Sequence, residues 1–101
     1  MYLFQIFLPL NYNNNRRVSR SCFSTTEEEL TKRYGGVTVY MRAPADGQWV
    51  SKGGKTKDQM ITVEVMARQL TLSWWKQYQK NLQARFRQEI IVIRYYACRL
   101  V

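Results

Sequence analysis

Glu64 is the one carboxylate that falls inside a strand-forming run, QMITVEVMA at 59–67. A carboxylate in the interior of a sheet is this chain's best candidate for a general base. Tyr40 and Arg42 occur in VTVYMRA (37–43), and Arg94 and Tyr96 in IIVIRYYAC (90–98), each pair with the same alternation. Trp49 lies in the long connection between the second and third of these runs. Tyr40, Arg42, Trp49, Glu64, Arg94 and Tyr96 together form a candidate ligand-binding set, with Trp49 as its lid. As a catalytic set it is thin. The chain has no histidine, which removes the usual general base and the commonest metal ligand at once. No Ser-His-Asp or Cys-His arrangement can be built without one. A single carboxylate more often serves as the partner of an arginine or tyrosine, so no residue is assigned a catalytic role and the reading leans towards a non-enzyme. Cys22 and Cys98 are far apart and form no C-x-x-C pattern, which argues against zinc and favours free thiols in a reducing cytosol. No metal or cofactor is expected.

The elements that must position these residues follow from apolar spacing. At 71–89, TLSWWKQYQKNLQARFRQE, Leu72, Trp75, Tyr78, Leu82 and Phe86 recur at steps of three and four, the stripe of an amphipathic helix. Thr71 or Ser73 can cap its start. Lys76, Lys80 and Arg87 fall along one flank, and Trp74 lies on the other, level with Tyr78 and Arg85. A second helix is expected at 21–34, with Phe23, Leu30 and Tyr34 on one face. Its Glu27, Glu28 and Glu29 suit the start of a helix and its Lys32 and Arg33 the end. Thr26 and Glu29 also fit a capping box, which would move the start later. Gly35 and Gly36 stop it. The run 2–8 is apolar on both faces with only Gln5 polar, as befits a central strand. The segment NYNNNRRVSR (11–20) reads as a polar, basic loop, a mobile connection in the leading reading and an anion-binding arm in the alternative.

The order is β-α-β-β-α-β. Right-handed crossovers put both helices on one face of the sheet. The expected fold is α+β, a ferredoxin-like two-layer sandwich with a four-stranded antiparallel sheet, strands one and three central. One hundred and one residues, 46% of them apolar, suffice for one domain with a real core. The connection at 44–58 is longer than a turn requires.

Such a sheet has one uncovered face. It should carry Leu3, Gln5 and Phe7 from the first strand, Thr38, Tyr40 and Arg42 from the second, Met60, Thr62, Glu64 and Met66 from the third, and Val92, Arg94 and Tyr96 from the last. A patch of that mixed kind marks a partner or a ligand site. The leading reading is self-association as a dimer over this face, in a binding or interaction protein. The second is a small-molecule-binding protein or cofactor-free enzyme of the dimeric α+β barrel kind, its pocket near Glu64. The third is non-specific nucleic-acid binding through basic loops. Sixteen basic residues against seven acidic give a net charge of +9, which favours acidic partners such as an anionic small molecule or nucleic acid. Specific RNA recognition by sheet aromatics lacks its signature, since the third strand has no aromatic residue. MYLFQIFLPL is too short for a membrane span and lacks a cleavage site, so it reads as a strand, with no membrane partner and a cytoplasmic location expected.

The segments ELTKRYGGVTVYMRAPADGQW, ITVEVMA and WWKQYQKNLQARFRQEIIVIR together resemble small uncharacterised bacterial proteins of ferredoxin-like type. The resemblance spans residues 4–94. It implies the fold and attaches no activity.

Overall fold

The computed structural model describes residues 1–42 and 59–101. The elements are β1 (Tyr2–Pro9), α1 (Arg20–Tyr34), β2 (Thr38–Arg42), β3 (Met60–Ala67), α2 (Leu72–Arg85) and β4 (Ile93–Ala97). The sheet is antiparallel throughout, in the order β2-β3-β1-β4. This is an α+β two-layer arrangement whose order fits a ferredoxin-like fold. The connection expected at 44–58, with Trp49 in it, lies outside the described residues.

Side-chain alternation decides which face the helices cover. Phe4, Ile6 and Leu8 of β1 and Val63, Val65 and Ala67 of β3 are buried in one cluster with Leu30 of α1 and Trp75, Tyr78 and Leu82 of α2. Phe86, Ile91 and Val18 close it. Phe4 stacks on Trp75 with ring centroids 4.1 Å apart, and Trp75 stacks in turn on Tyr34 of α1. Offset and stacked rings of this kind add about 0.5–1.5 kcal/mol to the gain from burial.

Both helices differ from expectation at their ends. α1 starts at Arg20, with Ser19 at the N-cap and no side-chain bond there. The alternative start at Thr26 fails because Thr26 is in mid-helix, its hydroxyl donating to the Cys22 carbonyl one turn back (2.8 Å). No acidic residue stands in the first turn, so the glutamates do not serve the helix dipole. The C-terminus is as expected: Lys32 and Arg33 fill the last turn, and Gly35 takes a left-handed conformation at φ 87°. α2 ends four residues before the expected Glu89. The Gln88 N–H bonds back to the Gln83 carbonyl and the Arg87 N–H to that of Ala84, the pair of bonds that closes a Schellman motif. The left-handed position is filled by Arg87 at φ 54°, where glycine would be the easy choice.

β4 is likewise shorter than expected, beginning at Ile93, because Ile91 is diverted into the core at 1% exposure. The Gln79 side-chain amide holds the Ile91 carbonyl at 2.7 Å. The connection expected at 11–20 contains a hairpin over residues 11–18 and gives way to α1 at Arg20. Asn11 pairs with Arg17, Asn15 makes the turn at φ 65°, and Leu10 and Val18 are buried.

A polar clasp joins the two helices. Arg85 meets Glu29 through two bonds, at 2.8 and 3.0 Å, and also donates to the Thr26 hydroxyl at 2.8 Å. The Tyr78 hydroxyl donates to Glu29 at 2.9 Å. The Arg85 bond holds the Glu29 carboxyl below its ordinary value, against some desolvation. Burial and the bond to Glu29 push the Tyr78 hydroxyl well up. Trp74, level with this clasp, stacks on Tyr78 at 4.7 Å and is capped by the guanidinium of Arg33, 4.2 Å from its ring centroid.

Two outcomes follow. Arg87→Gly should be more stable than Arg87→Ala by about 1 kcal/mol in urea unfolding, since both lose the side chain and only glycine tolerates the left-handed backbone. Equal midpoints would refute the Schellman assignment. Arg85→Ala should lose about 1–2 kcal/mol at neutral pH, a modest figure because Glu29 is partly solvated. A carboxyl held low contributes stability above its unfolded value and loses it as pH falls through the folded one. The gap between Arg85→Ala and wild type should therefore narrow as pH drops below about 4.5, the ordinary value for Glu29. A gap unchanged in acid would contradict the clasp.

Candidate site on the uncovered face of the sheet

Register sets the rows on the face away from the helices. One row runs Thr38, Glu64, Gln5, Arg94 across β2, β3, β1 and β4. Residues directly opposite one another on antiparallel strands stand close enough to interact side chain to side chain. Within this row the Gln5 amide nitrogen donates to Glu64 Oε2 at 2.7 Å, and the Arg94 Nε donates to the Gln5 carbonyl oxygen at 2.6 Å. Gln5 is 6% exposed, so its amide sits in the sheet's surface layer with both ends used. The guanidinium of Arg94 lies over the Phe7 ring, 5.0 Å from its centroid. Glu64 is half-buried and Arg94 is exposed.

The next row places Tyr40 opposite Thr62, and Thr62 opposite Phe7. Thr62 is almost wholly buried, and its hydroxyl has no hydrogen-bond partner among the described residues. Such a group carries a cost of about 1–3 kcal/mol until it finds one. Two rows the other way, Met66, Leu3 and Tyr96 stand in line. Tyr40, Tyr96 and Val92 are all about half exposed.

The expected site residues are therefore distributed as follows. Glu64 and Arg94 are brought into one hydrogen-bonded chain through Gln5. Tyr40 and Tyr96 share the face but lie on opposite edge strands, about 15 Å apart across the sheet from three inter-strand spacings alone. Arg42 stands opposite Met60 at the end of β2. Trp49 falls outside the described residues. Alternation puts Gln5 on this face but does not reveal that it joins Glu64 to Arg94. The signal was there, since it is the one polar residue in a strand otherwise apolar on both sides.

An open depression of about 390 Å³ lies elsewhere, at the end of β1 and β4, lined by Met1, Tyr2, Ala97, Cys98 and Arg99. It holds none of the expected site residues. Cys98 and Cys22 are free thiols. Among the described residues, no group of three or more carboxylates and thiols is placed to hold a metal ion, and no helix is long and apolar enough to cross a membrane.

No family model matches the chain, and no curated protein matches it. Two solved structures are similar to it. One is a phage SAM lyase in the apo state, with a TM-score of 0.62 at 14% sequence identity, covering 94% of this chain and 78% of that one. The other is a phage SAM lyase in complex with S-methyl-5′-thioadenosine, with a TM-score of 0.58 at 12% identity, covering 94% and 79%. The likeness is one of fold.

The Gln5 bridge has a direct test. Gln5→Leu keeps the volume and removes both bonds, leaving Glu64 and Arg94 without the group between them. It should cost about 1–3 kcal/mol in urea unfolding. A variant as stable as wild type would mean that the bridge contributes nothing.

Proposed function

We propose that this protein is a small-molecule-binding domain that works on the uncovered face of its sheet, with a second copy packed over that face. The observation that carries the reading is the row Glu64–Gln5–Arg94. A half-buried carboxylate and a guanidinium are fixed about two strand spacings apart by an amide that is itself buried. A solvated surface has no need of such a device, because water would satisfy each group singly. Among the described residues, Gln5 engages one oxygen of Glu64 and the Nε of Arg94, which leaves the other Glu64 oxygen and the outer nitrogens of Arg94 directed away from it. These are fixed acceptors and donors for a ligand with both polarities.

The half-exposed Tyr40, Val92 and Tyr96 are suited to the second role. Tyrosines give large contact areas at low entropy cost and are enriched where proteins meet. At opposite edges of the face they would frame the site and seal it on association. The fold's occurrence in phage SAM lyases, one of them holding S-methyl-5′-thioadenosine, supports an adenosine thioether as the first ligand to try. No bond-making step is assigned to this chain.

Titration calorimetry with S-methyl-5′-thioadenosine and with SAM, alongside sedimentation of the free protein, tests the reading. The expected result is a mass of at least two chains at micromolar concentration, binding of at least one of the two compounds, and binding at least tenfold weaker in Glu64→Gln. A clean monomer that binds neither compound would overturn it.

A further inference from the structure

We infer that one end of the molecule binds the phosphate backbone of a nucleic acid through Arg16, Arg17, Arg20 and Arg87. The inference is independent of the reading above, because these residues lie off the uncovered face. Three separate stretches of chain meet there: the hairpin at 11–18, the first turn of α1, and the end of α2.

Tyr12 and Cys22 tie the three together. The Tyr12 N–H bonds to the Arg16 carbonyl at 2.7 Å, and its hydroxyl lies 3.9 Å from the Cys22 thiol of α1. That thiol in turn approaches the Arg85 carbonyl near the end of α2, at 3.8 Å. Above the Tyr12 ring, 4.7 Å from its centroid, sits the guanidinium of Arg87. Asn11 pairs with Arg17, so the hairpin arginines are held in place by backbone structure. All four side chains are exposed. Among the described residues none of the four forms an ion pair, whereas Arg85, a turn away, is committed to Glu29.

Two of the four occupy positions that local physics disfavours. α1 opens with Arg20 and has no acid in its first turn, although the positive end of a helix dipole favours carboxylates there. Arg87 holds the left-handed corner of the Schellman motif, where glycine is the easy residue. Both departures put an arginine at the end of the molecule where α1 begins and α2 ends, and a strained backbone such as that of Arg87 is concentrated at functional sites. A phosphate brought to that corner relieves the first and makes use of the second.

A polyanion suits this end better than a membrane does. The hairpin's apolar side chains, Leu10 and Val18, are turned into the core. The patch therefore offers charge without the apolar wedge that interfacial binding uses.

Fluorescence anisotropy of a labelled single-stranded oligonucleotide tests the proposal. With four arginines on phosphates, the slope of log affinity against log salt should be about −2.8, or roughly fifty-fold weaker binding from 50 to 200 mM salt. Changing Arg16, Arg17 and Arg20 to Gln together should remove about 2 from that slope and weaken binding at least tenfold at low salt. Arg87→Gly should weaken it several-fold while keeping the fold. The control is Arg68→Gln with Arg99→Gln, exposed residues at the far end of β1, about 23 Å away. It should bind nearly as wild type does. Unchanged binding in the triple variant would overturn the proposal. So would an equal loss in the control, or tighter binding to phosphatidylserine vesicles than to the oligonucleotide.

Discussion

A central strand must satisfy two faces at once, and β1 does so with different chemistry on each. Towards the helices, Phe4, Ile6 and Leu8 are wholly buried, each contributing about 1.5–3 kcal/mol by leaving water. Towards the uncovered face the middle position is Gln5, whose amide is nearly as buried and so must be bonded. It is bonded on both sides, to β3 through Glu64 and to β4 through Arg94. The strand that holds the core thus also sets the register of the polar row. A slip of one residue would exchange the two sets of side chains and ruin both.

The rest of the molecule divides along the same plane. The helix layer is scaffold. Its aromatic stack from Phe4 through Trp75 to Tyr34 fixes how α1 and α2 lie on the sheet. The Arg85–Glu29 clasp, with Tyr78 and Thr26, ties the helices to each other above that stack. These groups are consumed by one another and have little left to offer a ligand. The uncovered face differs, since Gln5 positions its polar groups with one bond to Glu64 and one from Arg94, and Arg94 stays exposed. The arginine corner is a third region, kept in place by Tyr12 at the edge of the helix layer where α1 begins and α2 ends, and away from the uncovered face.

Much of this was legible in the sequence. The double apolar run at 2–8 predicted a central strand, and strict alternation in the third strand placed Glu64 opposite the helices. The stripe through Trp75, Tyr78, Leu82 and Phe86 is the buried stripe. Leu72, in the first turn, escaped because it lies beyond the core's edge, 37% exposed. The end of α2 was hidden because nothing in the residue Arg87 announces a left-handed backbone; only the bonds from Arg87 and Gln88 do. The hairpin at 11–18 was hidden because its anchors within that run are only two, Tyr12 and Val18, set six residues apart among polar side chains with no strand or helix period. Of the site, alternation gave the face but could not say which groups across strands would touch, since that depends on register. Hence the sequence puts Glu64 and Arg94 on one face, whereas only register shows that Gln5 joins them. Tyr40 and Tyr96 were grouped although the width of the sheet separates them.

If the uncovered face is built around Gln5, its bonds must act together and not as separate surface contacts. A double-mutant cycle between Gln5→Leu and Arg94→Met, read by urea unfolding, measures this most directly. The two positions should be coupled by about 0.5–3 kcal/mol, the range for groups in one hydrogen-bonded network. Effects that add to within about 0.3 kcal/mol would contradict the row as a unit, and with it the claim that this face is a prepared site.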